Sequence, residues 1–109
     1  MSSFTLKQGD TSPALEYTLT PADTVLVGAS AQFHMSDWKG RSIVDRAAVI
    51  YSDQNPAVLG YEWQEADTED VGQFRADFLV TFADGTQETF PNAGFIAVQI
   101  GRRAKGISE

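Results

Sequence analysis

The sequence predicts an all-β protein, with seven or eight mostly antiparallel strands arranged as a sandwich or a barrel. Between Gly72 and Ala83, apolar side chains alternate with mainly polar ones, which is the period of a strand with one buried face and one wet face. Asp84 and Gly85 then supply the residue types of a tight hairpin turn, and residues 86–90 return as the partner strand. Similar alternation recurs between turn signals along the chain, and no segment has a convincing helical period.

Turn signals divide the chain into short strands. Glycine, proline, aspartate and asparagine are concentrated at 9–13, 21–23 and 53–56, so the chain is expected to reverse there. One strand, 42–51, has apolar residues that point to both of its faces, so it is predicted to be covered on two sides. The predicted strands are residues 3–7, 14–19, 29–35, 42–51, 57–63, 72–83, 85–90 and 94–100.

Two further assignments follow from local pattern. Leu59, Tyr61 and Trp63 share one face of their strand, so both aromatic residues are predicted to lie in the core. The segment 62–71 is acidic, short and polar, and it is predicted to be a connection with at most one helical turn.

The bulk properties favour one small domain, expected over residues 4–100, with a flexible basic tail over 101–109. The chain has no cysteine, so it forms no disulfide and no thiolate metal site. A net charge of −7 repels phosphate backbones and anionic membranes, which argues against a nucleic-acid partner. No segment is long and apolar enough to predict membrane insertion, and the first residues lack the apolar stretch of a signal peptide. The protein is therefore expected to stay in a cytoplasm or to be assembled there into something larger.

An acidic group is the first candidate for chemistry, because carboxylates could bind calcium or form the acid pair of a glycosidase. The run lacks the alternating acids and central glycine of a calcium-binding loop, so a solvated loop is the preferred interpretation. The group consists of Glu62, Glu65, Asp67, Glu69 and Asp70.

His34 is the only histidine, and it falls on the polar side of a strand between Phe33 and Met35. Ser36 and Asp37 are near in sequence, yet no motif typical of a nucleophile or a zinc site accompanies them. The sequence therefore predicts no enzyme, and no catalytic, cofactor-binding or metal-binding residue.

Exposed aromatic and basic residues are the candidates for binding a partner. Tyr51, Tyr61, Trp38 and Trp63 could form a sugar-stacking platform only if several shared an exposed face. Trp38 differs from the others because it lies in a predicted loop among polar residues, where contact with a partner explains it better than packing. The short basic tail could dock on an acidic partner or remain a solvated terminus. The predicted partner-binding residues are Trp38, Lys39, Arg41, Arg102, Arg103 and Lys105.

The run Asp70-Val71-Gly72-Gln73-Phe74 resembles the Asp-x-Gly-x-Tyr turn of immunoglobulin-like domains, with Phe74 in place of the tyrosine. A wider resemblance, over about residues 4–100, is to small structural proteins of tailed bacteriophages and prophages. These include the amino-terminal domain of the baseplate upper protein family. The segments that carry this resemblance are residues 4–11, 28–35, 61–68, 72–74 and 82–91.

This resemblance implies an immunoglobulin-like β-sandwich that serves as a non-enzymatic structural component of a virion tail, baseplate or neck. Its implied partners are other tail or baseplate proteins, with a homo-oligomer as a further arrangement. The implied location is the virion and, during assembly, the host bacterial cytoplasm. Two alternatives remain open: an immunoglobulin-like adhesion or carbohydrate-binding module with Trp38 and a nearby tyrosine as its platform, and a hydrolase that uses the acidic group.

Overall fold

The computed structural model describes residues 3–19 and 24–102, which form two β-sheets packed face to face. This arrangement confirms the predicted all-β sandwich. Nine strands are described where seven or eight were predicted, because one predicted strand is divided in two. The strands are β1 (Ser3–Lys7), β2 (Leu15–Thr18), β3 (Ser30–Asp37), β4 (Ser42–Ala47), β5 (Val49–Ser52), β6 (Val58–Tyr61), β7 (Gly72–Thr81), β8 (Gln87–Phe90) and β9 (Ile96–Gly101).

The larger sheet has the strand order β1-β9-β7-β3-β4, and the smaller sheet has the order β2-β6-β5. β7 is long enough to pair with both β9 and β8 on its side away from β3. All described pairs are antiparallel except β1 with β9, which is parallel. The antiparallel pairing predicted for most strands is therefore present.

The prediction of one strand over 42–51, covered on two sides, is wrong. The chain leaves the larger sheet after β4 and enters the smaller sheet at β5, and Ala48 between them donates its N–H to the carbonyl of Ala31 at 2.9 Å. Only Val44 is buried in this segment. Apolar residues occur on both parities because the inward face changes where a strand passes from one sheet to the other.

The core lies between the sheets and is centred on Phe33, which is fully buried. Its ring stacks on Tyr61 with centroids 4.4 Å apart and meets Phe78 at 5.2 Å and Trp63 edge-on at 5.6 Å. Such aromatic contacts add to the free energy gained by burying the rings. The predicted core positions of Tyr61 and Trp63 are confirmed.

The β7–β8 hairpin is present, but its turn differs from the one predicted. Gly85 has a φ of +90°, whereas Asp84 is absent from the residues with positive φ. Phe82 donates its N–H to the carbonyl of Thr86 at 2.7 Å, which closes a loop of residues 83–85. The Asp84 carboxylate accepts the hydroxyl of Thr86 at 2.6 Å and its N–H at 3.0 Å, and these bonds lower the pKa of Asp84. A three-residue hairpin loop with a left-handed glycine fits this geometry.

A 3₁₀ helix, Glu65–Thr68, stands where the sequence predicts at most one helical turn. Within the described residues, no helix has the length and apolar character needed to cross a membrane.

Candidate functional site

The acidic segment contains a buried anchor, so the prediction of a uniformly solvated loop is wrong. Asp67 is 3% exposed, and its Oδ2 atom accepts the Tyr61 hydroxyl at 2.6 Å and the N–H of Gln64 at 2.8 Å. The Nη2 atom of Arg46 lies 3.9 Å from the other carboxylate oxygen. Burial, and then the bond to Asp67, raise the pKa of Tyr61. Asp67 therefore fixes the 3₁₀ helix to β6.

The other acids of this segment do not gather around Asp67. Glu62 and Glu65 are exposed, and Glu62 accepts a hydrogen bond from the Tyr51 hydroxyl at 3.0 Å on the outer face of the smaller sheet. Across residues 3–19 and 24–102, no three or more His, Cys, Asp or Glu side chains are grouped so that they could hold a metal ion.

His34 lies on the outer face of the larger sheet, between two carboxylates on neighbouring strands. Its Nε2 atom is 3.0 Å from Asp45 Oδ1, and its Nδ1 atom is 3.8 Å from Asp77 Oδ1. Both aspartates are direct cross-strand partners of His34. Burial raises the pKa of Asp77, and His34 partly opposes that change. The three side chains therefore form a polar row across β4, β3 and β7, with His34 in the middle.

Trp38 lies in the turn between β3 and β4 and is 54% exposed, as the sequence predicts. Asp37 shapes this turn, because its Oδ1 atom accepts the N–H groups of Lys39 and Arg41, both at 2.9 Å. The bonds from Arg41 and, less strongly, from Lys39 lower the pKa of Asp37. Gly40 completes the turn with a φ of +89°, a conformation that favours glycine.

The exposed ring of Trp38 is held in place by Arg75 of β7 and by Phe95, which directly precedes β9. The guanidinium carbon of Arg75 lies 4.6 Å from the Trp38 ring centroid and 5.8 Å from that of Phe95. Trp38 and Phe95 meet edge-on at 5.6 Å, and Arg75 Nη2 donates to the Trp38 carbonyl at 3.4 Å. An exposed indole fixed in this way loses less conformational entropy when a partner binds.

A surface hollow of about 450 Å³ lies beside Trp38. Arg41 is paired there, with its Nε atom 3.4 Å from Asp37 Oδ2 and its Nη2 atom 3.8 Å from Asp70 Oδ2. Lys39 forms no close salt bridge among the residues that the structure describes, but its charge contributes to the lowered pKa of Asp37. The hollow is lined by Asp37, Trp38, Lys39, Arg41 and Gln73. We call this hollow, together with Arg75 and Phe95, the Trp38 surface.

The fold places the start of the basic tail at the same end of the larger sheet as the Trp38 turn. Asp37, the last residue of β3, and Val98 of β9 both lie opposite Phe74 of β7, and β9 continues beyond that level to Gly101. Arg102 follows β9 directly and is exposed. The remaining predicted tail residues, Arg103 and Lys105, lie outside the described residues.

Sequence reasoning missed Arg75 and Phe95. Phe95 precedes the buried Ile96 and is only partly buried, while Arg75 is on the polar parity of β7. The alternation along 72–83 puts Arg75 on the polar face, but the register that brings Arg75 and Phe95 to Trp38 could not be read from the chain. The four-aromatic platform is not formed, because Tyr61 and Trp63 are buried and Tyr51 lies on the smaller sheet.

No family model matches the chain, and the search of curated proteins also found no match. Among solved structures, the chain is similar to CopC from Methylosinus trichosporium OB3b. The TM-score is 0.59 and the sequence identity is 16%, and the match covers 97% of this chain and 90% of that chain. A likeness at this identity shows a common fold.

These comparisons overturn the resemblance to bacteriophage baseplate proteins. The implied function in a virion tail, baseplate or neck depended on that resemblance, and so did the implied location in a virion or a host cytoplasm. Both predictions are wrong, because the chain matches the fold of CopC over 97% of its length. The physical reason lies in the matched segments. Each is a short turn or an alternating strand, and such segments recur in unrelated β-sandwiches because they encode local structure.

Proposed function

We propose that this chain is a non-catalytic recognition module that binds a protein ligand through the Trp38 surface. The observation that carries this proposal is the state of Trp38, which is 54% exposed and yet held by Arg75 and Phe95. A fold of this kind supports many functions, so the support for recognition comes from the Trp38 surface and not from the fold.

The composition of the site is typical of an interface centre. Tryptophan and arginine are the residues most enriched among those whose truncation weakens protein complexes. Here Arg75 is stacked against Trp38, and the neighbouring hollow adds a lysine ammonium and an arginine guanidinium at its rim. Aromatic surface surrounded by polar groups is the pattern of many protein interfaces.

The proposal is tested by capture from cells of the natural source, with ligands identified by mass spectrometry and their affinity then measured. Trp38→Ala is compared with the wild type and with Val27→Ala, which removes another exposed apolar side chain, 55% exposed, from the loop before β3. The wild type and Val27→Ala are expected to retain the same protein. Trp38→Ala should bind it about thirtyfold more weakly, the effect of losing roughly 2 kcal/mol at an interface centre.

Equal retention of every captured protein by Trp38→Ala and the wild type would overturn the proposal, provided that circular dichroism shows both to be folded at the temperature of capture. Capture of no protein at all would overturn it as well.

A further inference from the structure

We infer that the protein ligand of the Trp38 surface is a second copy of this chain, docked around a twofold axis so that each copy presents the same surface. This inference rests on the proposed function, because it names the partner of that site. It is carried by the apolar and charged side chains that the fold gathers at this end of the sandwich.

Two exposed apolar side chains stand at this end. Trp38 is 54% exposed and Val71 is 45% exposed. They belong to neighbouring parts of the surface, because Arg41 reaches Asp70, the residue before Val71, at 3.8 Å. Gln73, two residues after Val71, lines the hollow beside Trp38. The two side chains therefore provide an apolar centre for an interface.

Charges of opposite sign flank this centre on two different segments. The β3–β4 turn carries Lys39 and Arg41, whereas the segment from the 3₁₀ helix to β7 carries the exposed acids Glu65, Glu69 and Asp70. Within one chain, the structure shows one contact between these groups, from Arg41 to Asp70. Lys39, Glu65 and Glu69 form no close salt bridge among residues 3–19 and 24–102, and the charge of Lys39 acts within the chain only on neighbouring Asp37 among the carboxylates whose pKa is shifted.

A surface with adjoining basic and acidic segments is complementary to itself when it is rotated by 180°. In a twofold dimer, the basic turn of one copy meets the acidic segment of the other, and the same contact occurs twice. Lys39 then approaches Glu69 of the second copy, and Glu69 approaches the second copy's Lys39. The two Trp38 and Val71 pairs lie between these contacts and are removed from water.

The test uses analytical ultracentrifugation of the purified chain over a concentration series, with charge-swapped variants. The wild type is expected to form a dimer. In a dimer of Lys39→Glu, both contacts between residue 39 and residue 69 join two acids, and in a dimer of Glu69→Lys both join two bases. Each variant alone should therefore dimerise at least about tenfold more weakly. Mixing the two variants should restore association, because all contacts in the mixed dimer again join opposite charges.

Glu88→Lys serves as the charge-matched control, since Glu88 is an exposed acid on β8 at the other end of β7. It should dimerise like the wild type, and all variants should keep the circular dichroism spectrum of the folded wild type. A wild type that stays monomeric, or variants that do not restore one another, would overturn the inference.

The outcome also separates this inference from the proposed function. A monomeric wild type whose capture of a different protein depends on Trp38 rejects only the second copy as the partner. A monomeric wild type without any capture that depends on Trp38 rejects both.

Discussion

The ring of Tyr51 lies directly over the backbone of Gly60 on the outer face of the smaller sheet. A Cβ atom at residue 60 would overlap the ring edge, including Tyr51 Cδ2 at 2.6 Å, and would lie 2.8 Å from the carbonyl oxygen of Leu15. The Tyr51 hydroxyl continues across the sheet to Glu62. An aromatic ring that covers a strand glycine compensates for the missing side chain.

Gly60→Ala is therefore expected to lower the free energy of unfolding by about 1–3 kcal/mol, because the added methyl group forces the ring and a strand backbone apart. Urea denaturation measures the change. Gly101→Ala is the control, since the nearest atoms to a Cβ there are 3.8 Å away. A Gly60→Ala variant as stable as the control would contradict this account of the contact.

The bond between Tyr61 and Asp67 gives a second prediction. Tyr61→Phe leaves the buried carboxylate without its shortest hydrogen bond, and the free energy of unfolding should fall by about 1–3 kcal/mol. Tyr51→Phe removes a hydroxyl from a residue that is 41% exposed, so its effect should stay within about 0.5 kcal/mol. Equal losses of stability in the two variants would show that the buried hydrogen bond to Asp67 contributes no more than the exposed hydroxyl of Tyr51.

The same tyrosine makes stability sensitive to alkaline pH. Burial and Asp67 raise the pKa of Tyr61 in the folded chain, so its contribution is complete below the unfolded pKa of about 10 and is lost as pH rises above that value. Unfolding by urea should therefore become easier between about pH 9 and pH 11, and less steeply so in Tyr61→Phe. Tyrosinate absorbance should rise together with unfolding; a Tyr61 that ionises in the folded chain would refute the prediction.

Stacking of Arg75 on Trp38 should be measurable as a coupling energy. In a double-mutant cycle, the combined cost of Trp38→Ala and Arg75→Ala should be smaller than the sum of the single costs by about 0.5–1 kcal/mol. Pairing Trp38→Ala with Val27→Ala provides the control cycle, for which costs should add. Additive costs for Trp38 and Arg75 would mean that the stacked geometry contributes no stability.

The contribution of Asp77 to stability is expected to change with pH in the opposite direction from that of most carboxylates. Burial raises its pKa, so its contribution is complete below the unfolded pKa and is lost as pH rises through the folded value. Asp77→Asn should therefore gain stability relative to the wild type as pH rises towards neutrality from the unfolded aspartate pKa of about 4. The exposed Asp53→Asn controls for the loss of one charge. A relative stability of Asp77→Asn that falls over this range would reverse the assigned sign.

Much of the fold could be predicted from local pattern. Alternation along β7 identified its buried face, the same parity rule placed Tyr61 and Trp63 in the core, and Gly85 marked the hairpin. These features depend on residues near one another in the chain. The passage of residues 42–51 from one sheet to the other was missed. An apolar residue in the sequence shows that a side chain is covered, but it does not show which sheet covers it.

The candidate site was predictable only in part. An exposed tryptophan among polar residues was visible in the sequence, whereas its contacts with Arg75 and Phe95 depend on the register of β3, β7 and β9. Register joins residues that are far apart in the chain, and one sequence contains no direct record of it. The bacteriophage resemblance failed for a related reason, since short turns and strands report local structure and not the partner of a surface.

By itself, the sequence determined that the chain forms strands, which strand faces are buried and that Trp38 is exposed, since side-chain alternation and turn chemistry act over a few residues. Only the tertiary structure decided that Asp67 is buried under Tyr61, that residues 42–52 change sheets, and that Trp38 lies against Arg75 beside an acidic segment. Those relationships arise when distant strands pair and exclude water together, so they exist only in the packed sandwich.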